Sequence, residues 1–353
     1  MNKYELWLIA SDISNQCKVE LIKQYNNEEN IYNNINNINK NKDLAYMRSL
    51  RRLNNKNLDR EEILKENLIQ NDIKYVTYSS ENYPENLRNI QEPPYVLFYK
   101  GNIKLINDKN MVAIVGSRRS TIYGEKVTEV IASELYEMNF GIVSGVAYGI
   151  DSKAHKSILK RGGKTIGVLG CGIDIVYPSI NKSLYKEISE NGLLISEFLP
   201  GTEPKAHNFP QRNRIISGLA KAVIVTEASI KSGSLITVNY ALDQGKDVMV
   251  VPGPIFNSTS QGCNFLIRDG ASFFLEKDDL YRFLNVTKKD NKNKEKNTIK
   301  NILLNVISSQ PIHIDKIIES VNVDRIALFE LLFEMQNENE IICLPGNYYA
   351  KIS

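Results

Sequence analysis

The chain has 353 residues, which is enough for two or three domains. Its composition, 42% hydrophobic and 24% charged, is ordinary for a globular protein and excludes a disordered or fibrous chain. The net charge of only +3 says little about partners, and because a general DNA-coating protein is expected to be more basic, any nucleic-acid site must come from local clustering of basic residues.

The cysteines and the hydropathy pattern indicate a cytoplasmic protein. Cys17, Cys171, Cys263 and Cys343 are far apart and the three histidines are scattered, so we predict free thiols, no metal and no cofactor. The apolar run at residues 6–10 is too short for a signal peptide, and no apolar stretch approaches the roughly 18 residues that span a bilayer. We therefore expect no membrane insertion.

Residues 1–80 are expected to form a small helical domain. Leu44, Met47, Leu50 and Leu53 recur at helical spacing, as do Ile63, Leu64, Leu68 and Ile69. A connector at residues 81–110 follows, in which Tyr83-Pro84, Pro93-Pro94 and Gly101 favour turns and extended chain.

Residues 111–285 alternate short apolar runs with segments of helical length. This alternation is typical of a parallel sheet that is buried on both faces, and it predicts an α/β fold with a Rossmann-like, doubly wound parallel sheet. The predicted strands are Met111–Val115, Gly141–Ser144, Thr165–Leu169, Leu193–Ser196, Ala222–Thr226 and Val248–Val251. The predicted helices are Gly124–Met138, Gly149–Lys160, Lys182–Asn191, Ser234–Gln244 and Ser260–Asp269.

A linker rich in lysine and asparagine is predicted at residues 286–297, either as a solvated tether or as a contact to DNA phosphates. Helical patterns at 302–307, 314–320 and 326–336, followed by a hairpin pattern around Pro345-Gly346-Asn347, predict a winged-helix domain at 298–353. Winged helices bind either DNA or proteins, and the sequence does not decide between them.

Glycine-rich turns follow three consecutive predicted strands. They are Gly116-Ser117-Arg118, Ser144-Gly145 with the residues up to Asp151, and Gly170-Cys171-Gly172. Each is either a simple strand-to-helix turn or an anion site, in which backbone N–H groups face a phosphate and Arg118 grips it. Because the carboxyl ends of parallel strands meet at one edge of the sheet, three such turns together predict a shared anion-binding crevice.

A basic and aromatic stretch, HNFPQRNR, begins at position 207, with Lys205 just upstream. Bases stack on aromatic rings while cations hold the backbone, so Phe209, Arg212, Asn213 and Arg214 are candidate contacts to single-stranded DNA. The alternative is that Phe209 belongs to the core and that the two arginines are surface or salt-bridged helix residues.

Other polar groups are weaker candidates for chemistry. Glu227 supports the crevice structurally or accepts a proton from a ligand, and the pair Asp151 and His155, four residues apart on a helix, is more typical of structure than of catalysis. Gly163-Lys164-Thr165 lacks the first glycine of a P-loop and precedes a strand. No esterase or kinase motif occurs, and we predict no catalytic residue.

The middle segment resembles the DNA-processing protein A family (DprA, also called Smf). The matching stretches are AIVGSR at 113–118, SGVAYGID at 144–151, FPQRNRIISGL at 209–219, EASIKSGSLIT at 227–237, and VPG at 251–253 with GCNFLIRDG at 262–270. The resemblance spans some 160 residues in family order, and it extends more loosely to the helical N-terminal and winged-helix C-terminal domains.

This resemblance implies a single-stranded DNA-binding protein that self-associates as a dimer. Such a protein protects incoming DNA and helps to load a RecA-type recombinase during natural transformation and recombination. It also implies that Arg118 grips phosphate and Phe209 stacks on a base. Ala206 departs from the family, which often has a basic residue there, and Lys205 is the candidate substitute.

Two other functions use the same Rossmann variant. Nucleotide-cleaving phosphoribohydrolases resemble this chain at the GSR turn, but their PGGxGTxxE loop does not occur here. A mononucleotide sensor would need the crevice but not an exposed Phe209.

Overall fold

The computed structural model describes residues 2–34, 53, 59–287, 291–321, 325–338 and 340–352. The chain divides into two compact units, Met1–Val286 and Thr287–Ser353. Leu44, Met47 and Leu50, predicted to be helical, lie outside the described residues.

The first unit begins with short helices and then alternates strands with helices. Its helices are α1 (Lys3–Ala10), α2 (Asn15–Tyr25), α3 (Glu28–Asn34), α4 (Asp59–Gln70), α5 (Glu85–Arg88), α6 (Ile122–Glu137), α7 (Ile150–Leu159), α8 (Lys182–Asn191), α9 (Asn208–Leu219), α10 (Ser234–Asp243), α11 (Gln261–Arg268) and α12 (Lys277–Phe283). Its strands are β1 (Lys74–Thr77), β2 (Val96–Gly101), β3 (Met111–Gly116), β4 (Gly141–Ser144), β5 (Thr165–Val168), β6 (Leu193–Ser196), β7 (Ala222–Glu227), β8 (Asp247–Val250) and β9 (Ser272–Phe273).

These strands form, within the described residues, a nine-stranded sheet in the order β1-β2-β6-β5-β4-β3-β7-β8-β9. All pairings from β6 to β9 are parallel, whereas β1 and β2 are antiparallel additions at one edge. The predicted doubly wound α/β fold is therefore confirmed. From β3 the chain builds outward to β6 and then returns to place β7 on the other side of β3, so the topological switch lies between β3 and β7.

The sheet is buried on both faces because its central strands are apolar throughout. In β3, Val112 and Ile114 join one hydrophobic cluster, while Ala113 and Val115 join the other. The second cluster extends into the N-terminal helices, where Trp7 and Leu21 are buried together with the strand residue Phe98. The described part of the N-terminal segment thus shares the core of the sheet and supplies β1 and β2, which the sequence did not predict as strands.

The second unit contains α13 (Asn291–Val306), β10 (Ile312–His313), α14 (Ile314–Ser320), α15 (Arg325–Asn337), β11 (Ile341–Leu344) and β12 (Tyr348–Lys351). Its strands pair antiparallel in the order β10-β12-β11, with the predicted hairpin between β11 and β12. The lysine-rich stretch predicted as a linker is helical from Asn291 onward. Winged-helix architecture remains our interpretation of this unit.

His155 is a fully buried histidine that stays neutral in the folded chain. Thr165 Oγ1 donates to the Ile142 carbonyl (3.0 Å), so the proton shared between His155 Nδ1 and Thr165 Oγ1 (2.7 Å) belongs to the imidazole. Nε2 is buried and has no partner among the described residues. Burial lowers the pKa of His155 to about 3.

We expect acidification to destabilise the fold through this side chain. Below about pH 6.5 the unfolded chain protonates His155 while the folded chain does not, so the free energy of unfolding falls by about 1.4 kcal/mol per pH unit until the pH nears the folded pKa. Urea unfolding of the wild type and of His155→Gln, from about pH 7 to about pH 4, isolates this contribution. Equal pH slopes for the two proteins would contradict it.

Candidate nucleic-acid interface

A cavity of about 770 Å³ opens at the carboxyl ends of the strands, beside the β3–β7 switch. One wall is cationic and aromatic and includes Arg118, Arg119 and Phe209, together with Tyr177. The lining is also rich in hydroxyl groups, contributed by Ser229, Ser232, Ser234, Thr237, Ser258 and Thr259. This polar, open cleft has the chemistry to hold an anionic backbone and an aromatic base together.

The Gly116-Ser117-Arg118 turn forms the cationic side of the cavity. The Ser117 N–H donates to the Glu227 carbonyl (2.7 Å), which ties the turn to the end of β7. Ser117 Oγ accepts from the Arg119 N–H (3.0 Å), so the serine shapes the turn locally. Both arginine side chains are exposed and available to a phosphate.

Phe209 lies in the first turn of α9, a helix that the sequence analysis did not predict. Its ring is half-buried, and the Arg118 guanidinium carbon lies 5.1 Å from the ring centroid. A Cβ atom on Gly170 would lie 2.7 Å from Phe209 Cδ1, so the glycine makes room for the ring. Arg118 and Phe209, far apart in sequence, are thus brought together as a cation beside an aromatic face.

Arg212 lines the cavity but is almost fully buried, with 3% of its surface exposed. Its Nη1 donates to the Gly145 carbonyl (2.8 Å) and to the Val168 carbonyl, so it bridges the ends of β4 and β5. Burial lowers the pKa of Arg212, and the nearby Asp151 carboxylate opposes that shift. These contacts make Arg212 a brace for the strand ends.

Asp151 and Gly145 complete this brace. Asp151 Oδ2 accepts from the Gly145 N–H (3.2 Å), and burial raises the pKa of this carboxyl while the Arg212 charge lowers it. A Cβ on Gly145 would lie 2.6 Å from Arg212 Nη1, so a larger residue here would displace the guanidinium.

Arg214 lies outside the main cavity. Its Nη1 and Nη2 pair with the two carboxylate oxygens of Glu197 at 2.6 and 2.7 Å, and both side chains are almost fully buried. Glu197 also accepts from Asn15 Nδ2 (2.9 Å), which links α9 to the N-terminal helices. Arg214 is therefore a salt-bridged helix residue, which is one of the alternatives that the sequence left open.

The other candidate residues take different positions. Ser144 is fully buried and donates to the Ile114 carbonyl (2.6 Å), whereas Lys205 is exposed beside the cavity. Asn213 lines the cavity, accepts from Arg212 Nε (3.2 Å) and donates to the Gly233 carbonyl (3.3 Å). Glu227 Oε2 accepts from the Thr121 N–H (2.9 Å), so this carboxylate supports the structure of the turn before α6.

Sequence reasoning missed two parts of the cavity. Tyr177 stands just before Pro178 in the segment after β5, and its only sequence signal is an aromatic residue near a glycine turn. The serines around Gly233, which line the cavity, belong to the stretch EASIKSGSLIT at 227–237, but their residue types alone give no sign of a binding role.

The doubly wound sheet, with a cationic and aromatic cleft at its switch point, defines a Rossmann-like protein. A family model described as DNA recombination-mediator protein A matches residues 74–285. The chain belongs to this family.

Relatives and solved structures agree with the family assignment. DNA processing protein DprA of Streptococcus pneumoniae is 46% identical over 198 residues, covering 56% of this chain and 70% of the relative. The X-ray structure of DNA processing protein A from Streptococcus pneumoniae aligns with a TM-score of 0.68 at 34% identity, covering 80% of this chain and 98% of that one. DNA processing protein A from Helicobacter pylori, described as having a unique single-stranded DNA binding mode, aligns with a TM-score of 0.55 at 33% identity, covering 61% and 96%.

The buried ion pair predicts that substitution by alanine lowers the free energy of unfolding more at Arg214 than at Arg118. Arg214→Ala leaves the Glu197 carboxylate buried without its partner and should lower the free energy of unfolding by about 3–5 kcal/mol. Arg118→Ala, at an exposed position, should change it by at most about 0.5 kcal/mol. Urea unfolding without DNA measures both, and a loss in the Arg214 variant as small as in the Arg118 variant would contradict the assignment.

Proposed function

We propose that this chain binds single-stranded DNA in the cavity at the carboxyl edge of the sheet and acts as a recombination mediator in DNA processing. It protects incoming strands in natural transformation and leaves the DNA chemically unaltered. One observation supports this most directly: the exposed Arg118 lies 5.1 Å from the half-buried Phe209 ring in an open cleft. A single strand offers a phosphate and an unpaired base to such a pair at the same time.

The contacts to DNA divide between charge and stacking. Arg118 and Arg119 hold phosphates together with the exposed Lys205, while backbone groups of the Gly116-Ser117 turn line the cavity with the two arginines. Phe209 stacks a base. Arg212 and Asp151 act indirectly, by holding the strand ends in place.

Partners and location follow from the family in this proposal. The chain forms a homodimer in the cytoplasm and assists a RecA-type recombinase. Within the ranges that the structure describes, no helix combines the length and apolar character needed to cross a bilayer.

Strand preference tests the proposal. An aromatic ring beside a cationic groove needs unstacked bases, so a single-stranded oligonucleotide should bind well above a duplex of equal length, with weak sequence preference. Fluorescence anisotropy across salt concentrations measures this with the full chain. Equal or tighter duplex binding would overturn the proposal, and release of ribose 5-phosphate from nucleoside monophosphates would support the enzyme alternative.

Charge and stacking are separable by substitution. Arg118→Ala should weaken binding and flatten the logarithmic salt dependence by about 0.7, the contribution of one phosphate contact to a single strand. Phe209→Ala should lose about 1–3 kcal/mol of binding free energy with little change in the salt slope.

Circular dichroism melting is the control for both variants. If Phe209→Ala unfolds while its folded fraction keeps full affinity, then Phe209 is a core residue and stacks no base.

A further inference from the structure

Tyr177 presents an exposed aromatic ring next to Phe209. The two ring centroids are 5.5 Å apart and the planes are inclined by 38°. The Tyr177 side chain lines the same cavity as Phe209 and Arg118 and is 41% exposed. The two rings therefore form one continuous aromatic surface that is open to a ligand.

The backbone of Tyr177 is held on both sides by one buried side chain. The Tyr185 hydroxyl, on α8, donates to the Tyr177 carbonyl (2.7 Å) and accepts from the Tyr177 N–H (3.3 Å). Tyr185 itself is 5% exposed. A ring on a fixed backbone contacts a ligand with little loss of conformational entropy, which is what a binding surface requires.

Tyr177 also differs from the tyrosines that serve the core. Tyr83 and Tyr95 are buried, and their hydroxyl groups donate to the Pro94 carbonyl (2.6 Å) and to Glu28 (2.9 Å). The Tyr177 hydroxyl makes no hydrogen bond within the described parts of the chain. Packing alone explains a buried, satisfied tyrosine but not this one.

We infer that Tyr177 is a second base-stacking residue, so that the cavity takes two neighbouring unpaired nucleotides of one strand. This inference rests on the proposed function. Phe209 receives one base beside the phosphate held by Arg118, and Tyr177 receives the adjacent base. Neighbouring bases of a single strand rotate independently enough to follow rings inclined by 38°.

Substitution at Tyr177 tests this with the full chain and a single-stranded oligothymidylate. Tyr177→Ala should weaken binding about 5- to 150-fold, the range for one lost base–aromatic stack, and should leave the salt slope unchanged because no charge is removed. Tyr177→Phe restores the ring and should recover most of the lost affinity. The matched control is Tyr136→Ala, since Tyr136 is 39% exposed near the end of α6, at the opposite edge of the sheet, and should bind like the wild type.

A modified oligonucleotide tests whether the cavity binds two adjacent bases. An oligothymidylate that lacks every second base offers no two adjacent bases. The loss of affinity relative to the intact oligothymidylate should therefore be larger for the wild type than for Tyr177→Ala. Equal costs in the two proteins would show that the second ring holds no base.

Photo-cross-linking of the wild type tests the inference without a substitution that could impair folding. Strands containing 5-iododeoxyuridine, irradiated in complex with the protein, should cross-link to the peptide that contains Tyr177 as well as to the Phe209 peptide. Cross-linking at Phe209 alone, with Tyr177→Ala binding like the wild type, overturns this inference and leaves the proposed function standing. Failure of the wild type to prefer single strands would instead remove the proposed function itself.

Discussion

The guanidinium of Arg212 is buried below the cavity, where it bonds the carbonyls of Gly145 and Val168 at the ends of neighbouring strands. Removing a cation from water costs several kcal/mol, and here the carbonyl bonds and the nearby Asp151 carboxylate offset that cost. Phe209 stands three residues earlier on the same helix. The hydrogen bonds that anchor Arg212 therefore also set where the exposed ring lies over the strand ends.

Two of the glycine turns make room for side chains of this helix. Gly145 leaves space for the Arg212 guanidinium, and Gly170 leaves space for the Phe209 ring. A methyl group at either position would collide with these side chains, so each of them would have to shift. The pattern that predicted a phosphate crevice is thus also a pattern of close helix packing, and both effects shape the same cavity.

The sequence predicted the central sheet well because strands buried on both faces are apolar throughout, and the predicted strands from Met111 onward are present with small shifts at their ends. It did not predict β1 and β2, which lie beside helical and proline-rich segments and outside the regular alternation of strands and helices that begins at Met111. It also could not separate the arginines. Arg118, Arg212 and Arg214 look alike in sequence, and only the three-dimensional neighbours decide which one faces the solvent.

Aromatic residues were equally ambiguous. Phe209 was singled out because basic residues flank it, whereas Tyr177 has no such neighbours and acquires its place only when the segment after β5 folds against α9. The same holds for Glu227, whose carboxylate position depends on the start of α6. Local patterns indicated the cleft, and long-range packing determined its walls.

The contact from Asn15 to Glu197 and on to Arg214 has a consequence for engineering the molecule. Deleting the first helices would strip a hydrogen bond from a buried carboxylate and expose part of the shared core. The boundary at residue 286, by contrast, separates two compact units. Fusion partners, affinity tags or exchanged modules therefore belong after that boundary, and the N-terminal helices are best kept with the sheet whose core they share.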